Sequence, residues 1–236
     1  MTRVLAVSPH LDDAVFSAGG RLWEHRARGD AVTVLTCFTG NVARPSGFAL
    51  ACQLDKGLEP DIDYMALRRA EDAEACAAIG ATPLHLPLLE APHRGYGSAA
   101  ALFGPRLPED AVLPDLVAAL GQVAADARPS LVYAPWGVGN HVDHLIVREA
   151  VEQVFAQTPV VWWEDYPYAM REPAPPAGVT RRPVNGEAAE RKLAGVLAYR
   201  SQLGFQFGGV EAARAALAGW RSEGFATGRP GGEPPG

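Results

Sequence analysis

The chain has 236 residues, 48% of them hydrophobic and 20% charged. This is too apolar for a disordered polymer and of a length that suits one large domain. With 21 Lys and Arg against 27 Asp and Glu, the net charge is −6. That balance argues against a nucleic-acid binder, which needs a basic face. No apolar run approaches the ~18–20 residues of a membrane span, and the four-residue run after Arg3 is too short for a signal-peptide core. A cytoplasmic, reducing location is therefore expected. The three cysteines, Cys37, Cys52 and Cys76, show no metal-binding spacing and read as plain thiols.

In chain order, residues 4–7 form a short apolar run that stops at Ser8-Pro9, as a buried strand would. Apolar residues at helical spacing follow over 14–28, with Asp12 or Asp13 at the helix start. The β-branched stretch 31–38 reads as a second strand. Residues 64–79 read as a helix closed by Gly80, and 82–88 as a third strand trimmed by two prolines. A helix fits 114–127, a fourth strand 131–134, a helix lies within 141–157, and a fifth strand covers 160–163. A strongly periodic helix is expected over 187–203, and a last helix over 210–222. Segments 40–63 and 89–113 read as long loops, and 171–184 as an irregular, proline-rich connection. The fold expected is α/β: a Rossmann-like three-layer sandwich with a mainly parallel sheet. It would occupy 1–227 as a single domain, followed by a disordered Gly/Pro tail, 228–236.

Two short segments carry the chemistry. Pro9-His10-Leu11-Asp12-Asp13 follows the first strand, and Asn140-His141-Val142-Asp143-His144 follows the fourth. They contain three of the six histidines in the chain. In a doubly wound sheet the first and fourth strands are neighbours where the strand order reverses, and ligands bind at their carboxyl ends. Segments far apart in sequence thus converge on one His/Asp cluster. Imidazole and carboxylate suit a catalytic Zn²⁺ site with a position left for water. Fe²⁺ also fits such N/O ligands. Against this stands the plainer reading of a lone His or an Asp pair at a helix start as a cap. Two clusters at one crevice weaken it.

At these residues the sequence resembles the LmbE-like (PIG-L) family of zinc-dependent N-deacetylases. The resemblance runs to about residue 203. It rests on Pro9-His10-Leu11-Asp12-Asp13 with Gly19-Gly20 and on His141-Val142-Asp143-His144, with weaker support from Arg68-Arg69-Ala70-Glu71, Lys192 and Tyr199-Arg200-Ser201-Gln202. Leu11 stands where the family more often has Pro. The match implies His10, Asp13 and His144 as metal ligands and Asp12 as general base. Protonated His141 would face the substrate carbonyl, and Asp143 would orient a histidine. Metal-bound water, its pKa lowered towards ~7, would attack an acetamide and release acetate and an amine. The substrate implied is a small N-acetylated amino-sugar conjugate of N-acetylglucosaminyl type.

Arg68 is a candidate for substrate binding, against a salt bridge to Glu71 or Asp72 on its own helix. Glu164, Asp165 and Tyr166 follow the fifth strand and are candidate substrate contacts, whereas Trp162 and Trp163 read as core. His93-Arg94-Gly95-Tyr96-Gly97 reads as a lid or a solvated loop. Gly19-Gly20 marks either close helix packing or a bend. Three other functions remain in view: an amidase of a larger sugar-thiol conjugate, a non-catalytic sugar-binding domain, and a metal-dependent phosphoesterase. Retention of Asp12 argues against the second. A ligand set for one metal, with no phosphate loop, argues against the third. The helix faces leave a homo-oligomer open.

Overall fold

Arg3–Ser8 forms β1, and its alternating side chains already define two cores. Val4 and Ala6 point into one hydrophobic cluster, Leu5 and Val7 into the other, as the period of two along a strand requires. The computed structural model describes residues 1–172 and 174–228. The remaining strands are β2 (Ala31–Thr36), β3 (Thr82–His85), β4 (Leu131–Pro135), β5 (Val160–Trp163), β6 (Thr180–Pro183) and β7 (Ser222–Ala226). They form one sheet in the order β3-β2-β1-β4-β5-β7-β6. β1 to β5 are mutually parallel, and β7 runs antiparallel to both β5 and β6.

The helices are α1 (Asp13–Ala27), α2 (Gly47–Leu54), α3 (Tyr64–Ala78), α4 (Ala99–Leu102), α5 (Val112–Ala127), α6 (Val142–Val154), α7 (Gly186–Ala198), α8 (Arg200–Phe207) and α9 (Val210–Gly219). On one face of the sheet α1, α3 and α7 pack through Val15, Leu22, Ile79 and Val196. On the other, α5 and α6 pack through Leu116, Leu120, Ile146 and Val147. The result is the expected three-layer α/β sandwich.

The differences from expectation lie at the edges. Residues 171–184 hold β6, and the helix expected over 210–222 stops at Gly219 so that β7 can follow. Neither Thr-Arg-Arg-Pro nor Ser-Glu-Gly-Phe-Ala carries a strand-like apolar pattern, so pairing of β7 with β5, and of β6 with β7, is what makes these strands. The helix over 187–203 is two helices, broken where Tyr199 adopts φ −80°, ψ 56°. Segments 40–63 and 89–113 contain α2 and α4. The expected tail, apart from Gly228, lies outside the described residues.

α1 runs unbroken through Gly19 and Gly20. A Cβ at Gly20 would sit 2.5 Å from Val184 Cγ1. Close packing, not a bend, is therefore what this glycine serves. The backbone amides of Gly20 and Arg21 donate to Glu223, which also receives Lys192 Nζ at 2.8 Å. Lys192 is thus scaffold, joining α7 to β7.

Candidate metal centre

The turn from β1 into α1 is tied locally. Ser8 Oγ donates to the His10 carbonyl and accepts from the Ala14 amide, and the His10 amide donates to Asp13 Oδ2. This fixes His10, Asp12 and Asp13 at the carboxyl end of β1. From the neighbouring β4 the chain turns through Gly137, Gly139 and Asn140, all with positive φ, and enters α6 with His141 as its N-cap. Gly139 also lies under the Tyr168 ring, where a Cβ would come within 2.9 Å of Cδ1. The two segments meet at the switch point of the sheet.

One Asp13 oxygen lies between two imidazoles. Oδ2 is 3.2 Å from His10 Nδ1 and 3.2 Å from His144 Nε2. Bonds of ~2.0–2.1 Å in a tetrahedral site give ligand–ligand edges of about 3.3 Å, which these distances match. Each histidine is held from behind by its other nitrogen: His10 Nε2 by Asp143 Oδ2 at 2.9 Å, His144 Nδ1 by Asp165 Oδ1 at 2.7 Å. In the neutral rings such carboxylate partners fix the tautomer, so that the facing nitrogen offers a lone pair once a cation displaces its proton. His144 Nε2 is buried and has no hydrogen-bond partner among the described residues. A buried orphan nitrogen facing a carboxylate is what a metal site requires, so these three residues fit a divalent cation.

A second grouping, His10, His141 and Asp143, also has donor atoms close together. Its atoms are already engaged. Asp143 accepts from His10, from the Ala91 amide and from Arg94, and His141 Nδ1 accepts from the Asp143 amide. The first grouping is the better cation site.

Electrostatics follow from burial. Burial and the neighbouring Asp13 charge push the Asp12 carboxyl up to about 7, with Arg68 opposing. Burial lowers His141 to about 3, and the charge on His10 adds to it. In the metal-free protein this favours a neutral ring over the protonated His141 that the resemblance implies. Because Nδ1 accepts from a backbone amide, the proton sits on Nε2, and the residue remains a hydrogen-bond donor. Burial also opposes charge on His144, yet Asp13 and Asp165 outweigh it and raise this ring to about 9. Asp143 is held well below the usual carboxylate range, because its bond to His10 and the charges of His10 and Arg94 overcome burial.

A cavity of ≈ 330 Å³ lies away from this centre, beside α7 and Trp220. The cavity that reaches the chemistry is a different one, of ≈ 270 Å³, with His10, Asp12, Asp13 and His141 at its floor. Arg68 also lines it. Its guanidinium bonds Glu90 Oε1 at 2.6 Å and the Leu11 carbonyl, and stands 3.7 Å from Asp12. Glu71 and Asp72 have other partners, Ser201 and the pair Tyr199 and His85. The intrahelical salt bridge weighed for Arg68 does not form.

Three expectations need correction. Glu164 is turned away from the cavity and bound by the Arg181 guanidinium at 2.7 and 2.8 Å. Tyr166 is buried against Phe207 and Trp220. Asp165 is buried and serves His144 and the amides of Gly137 and Val138, so it holds a proposed ligand and does not face the cavity. The residue of this segment that reaches the cavity is Tyr168, whose ring stands edge-on to His144 at 5.4 Å. Nor is 93–97 a lid. Arg94 bridges Asp110 and Asp143, and buried Tyr96 donates to Asp110. Glu90, Arg94 and Tyr168 went unread as site residues in the sequence. Only Arg94 and Tyr168 lay in segments with a visible signal.

The cleft at the switch point of this Rossmann-like sheet thus brings together residues that fit one divalent cation and, beside them, a buried carboxyl. The family model for PIG-L, GlcNAc-PI de-N-acetylase, matches residues 5–155. The 2'-N-acetylparomamine deacetylase of Streptomyces fradiae is 32% identical over 85% of this chain and 73% of its own. Among solved structures, the A40926 pseudoaglycone deacetylase superposes with a TM-score of 0.80 at 29% identity, covering 98% of this chain and 99% of that one. The zinc-inhibited form of teicoplanin deacetylase gives a TM-score of 0.80 at 26% identity, covering 95% and 96%. The chain belongs to the PIG-L family. It is an N-deacetylase hydrolase, as each of these relatives is a deacetylase.

Proposed function

We propose that this chain removes the acetyl group from an N-acetylglucosaminyl-type conjugate, using a zinc ion held by His10, Asp13 and His144. Fe²⁺ would suit the same donors. The observation that carries this reading is the Asp13 carboxylate set 3.2 Å from two imidazole nitrogens, each ring braced by its own buried carboxylate. A zinc-inhibited form of a neighbouring deacetylase is consistent with zinc binding on this fold, and two imidazoles with a carboxylate are a donor set that suits zinc as the working ion. When bound, the cation supplies Lewis acidity at the amide carbonyl.

The chain's own residues do the rest. Asp12, at the cavity floor beside the ligands, takes a proton from the attacking water. Buried beside the ligands, it can hold that proton and return it to the departing nitrogen. The C–N bond breaks, acetate carries away the water oxygen, and the amine leaves. His141 offers Nε2–H to the developing oxyanion as a neutral donor. Asp143 holds His10, and Arg68 binds a polar part of the substrate. No helix among the described residues is long and apolar enough to cross a membrane.

The test is Asp12→Asn in the zinc-loaded protein. Acetate release from an N-acetylglucosaminide should fall by about 10²–10⁴-fold while zinc content stays at the wild-type level. Turnover retained in this variant would remove Asp12 as the base.

A further inference from the structure

Resting on the deacetylase reading, we infer that the cavity mouth is a subsite for an apolar, aromatic aglycone. At ≈ 270 Å³ the cavity is at the small end for ligand sites, with room for about one sugar ring. The remainder of any conjugate must then lie against the mouth. That mouth is built of phenyl rings. Phe103, just after α4, is 42% exposed, and Phe205 on α8 is 58% exposed. Half-buried Phe48 on α2 and Leu102 join them along the wall.

The aromatic surface is continuous with the catalytic floor. Phe103 stands edge-on to His141 at 5.3 Å and to Tyr168 at 6.0 Å. Phe205 is braced by Lys56 Nζ, 4.7 Å from its ring centroid. Large apolar side chains left exposed together around a cleft mark a binding surface, and phenyl rings favour aromatic partners.

Charge separates this aglycone from an amine-bearing one. Outside the metal-binding floor and the Arg68–Glu90 pair, the charged residues lining the cavity are Asp55, Lys56 and Arg171. Two cations against one anion give no surplus of carboxylates for the ammonium groups of a polyamino sugar. An uncharged aromatic group meets no such penalty.

The experiment compares three substrates on zinc-loaded protein: the phenyl and methyl glycosides of N-acetylglucosamine, and an N-acetylated disaccharide bearing two free amines. Acetate release is followed, with calorimetric binding of the deacetylated phenyl and methyl glycosides in parallel. We expect kcat/KM for the phenyl glycoside about tenfold above the methyl one, mainly through KM, and the amine-bearing disaccharide last. Phe205→Ala, at a largely exposed position, should bring the phenyl-to-methyl ratio towards one. Equal rates for phenyl and methyl, or preference for the disaccharide, would overturn the subsite. If no substrate releases acetate, the deacetylase reading fails. Tighter binding of the phenyl glycoside that Phe205→Ala abolishes would still uphold the subsite, whereas equal binding would overturn it too.

Discussion

Asp165→Asn offers a sharp perturbation of the proposed metal site, because it changes one atom on a residue that ligates nothing. In the wild type, Oδ2 accepts from the amides of Gly137 and Val138 at 2.7 and 2.8 Å, and Oδ1 accepts from His144 Nδ1 at 2.7 Å. An asparagine keeps one oxygen. Two backbone donors claim it, which turns the NH₂ group towards His144. Nδ1 must then lose its proton to accept, and the proton moves to Nε2, the nitrogen proposed to ligate. The alternative rotamer sets NH₂ against two N–H donors and is worse. Either way one buried polar mismatch remains, worth about 1–3 kcal/mol. At about 1.4 kcal/mol per tenfold, zinc affinity should fall about 10–100-fold, the range known for such supporting residues. Competition with a chromophoric chelator measures it, and circular dichroism checks the fold. Affinity within twofold of wild type in a folded variant would refute the claim that Asp165 sets the ligand tautomer.

Other perturbations follow from the same geometry. Arg94→Ala leaves Asp110 and Asp143 buried without their shared cation and should cost about 3–5 kcal/mol in denaturant unfolding, with Arg94→Lys milder. Gly20→Ala pushes a methyl onto Val184 and should cost about 1–3 kcal/mol, and Val184→Ala should restore much of it. Asp143 is depressed in the fold, so its stabilising effect is present above its unfolded value near 4 and lost as pH falls through the folded value; melting temperature should drop at acid pH. His144 in the metal-free protein is raised to about 9, so its contribution is full below about 6.5 and lost as pH rises through 9. Chelated protein should therefore lose stability between pH 7 and pH 9.5, and zinc uptake at pH 7 should release protons.

Much of the centre was legible because its signals are local. His10, Asp12 and Asp13 sit directly after one apolar run, His141, Asp143 and His144 shortly after another, and the strand-order rule makes those runs neighbours. Glu164 was misread for the opposite reason. Its partner Arg181 lies on β6, a strand with no apolar alternation, which exists only because β7 pairs between it and β5. Without β6, Glu164 is an acid at a strand end and reads as a substrate contact. Arg94 was hidden by distance too: its partners Asp110 and Asp143 lie 16 and 49 residues further along the chain. Asp165 followed the correct strand but faces inward, a choice made by the Gly137–Val138 amides and not by any feature of its own neighbours.

The central claim is that His10, Asp13 and His144 form one metal centre. Elemental analysis of protein purified without added metal or chelator, run beside His144→Ala, tests it most directly. The account predicts about one zinc or iron per wild-type chain and loss of that metal in the variant. No metal in the wild type even after zinc is supplied, or full retention in His144→Ala, would contradict it.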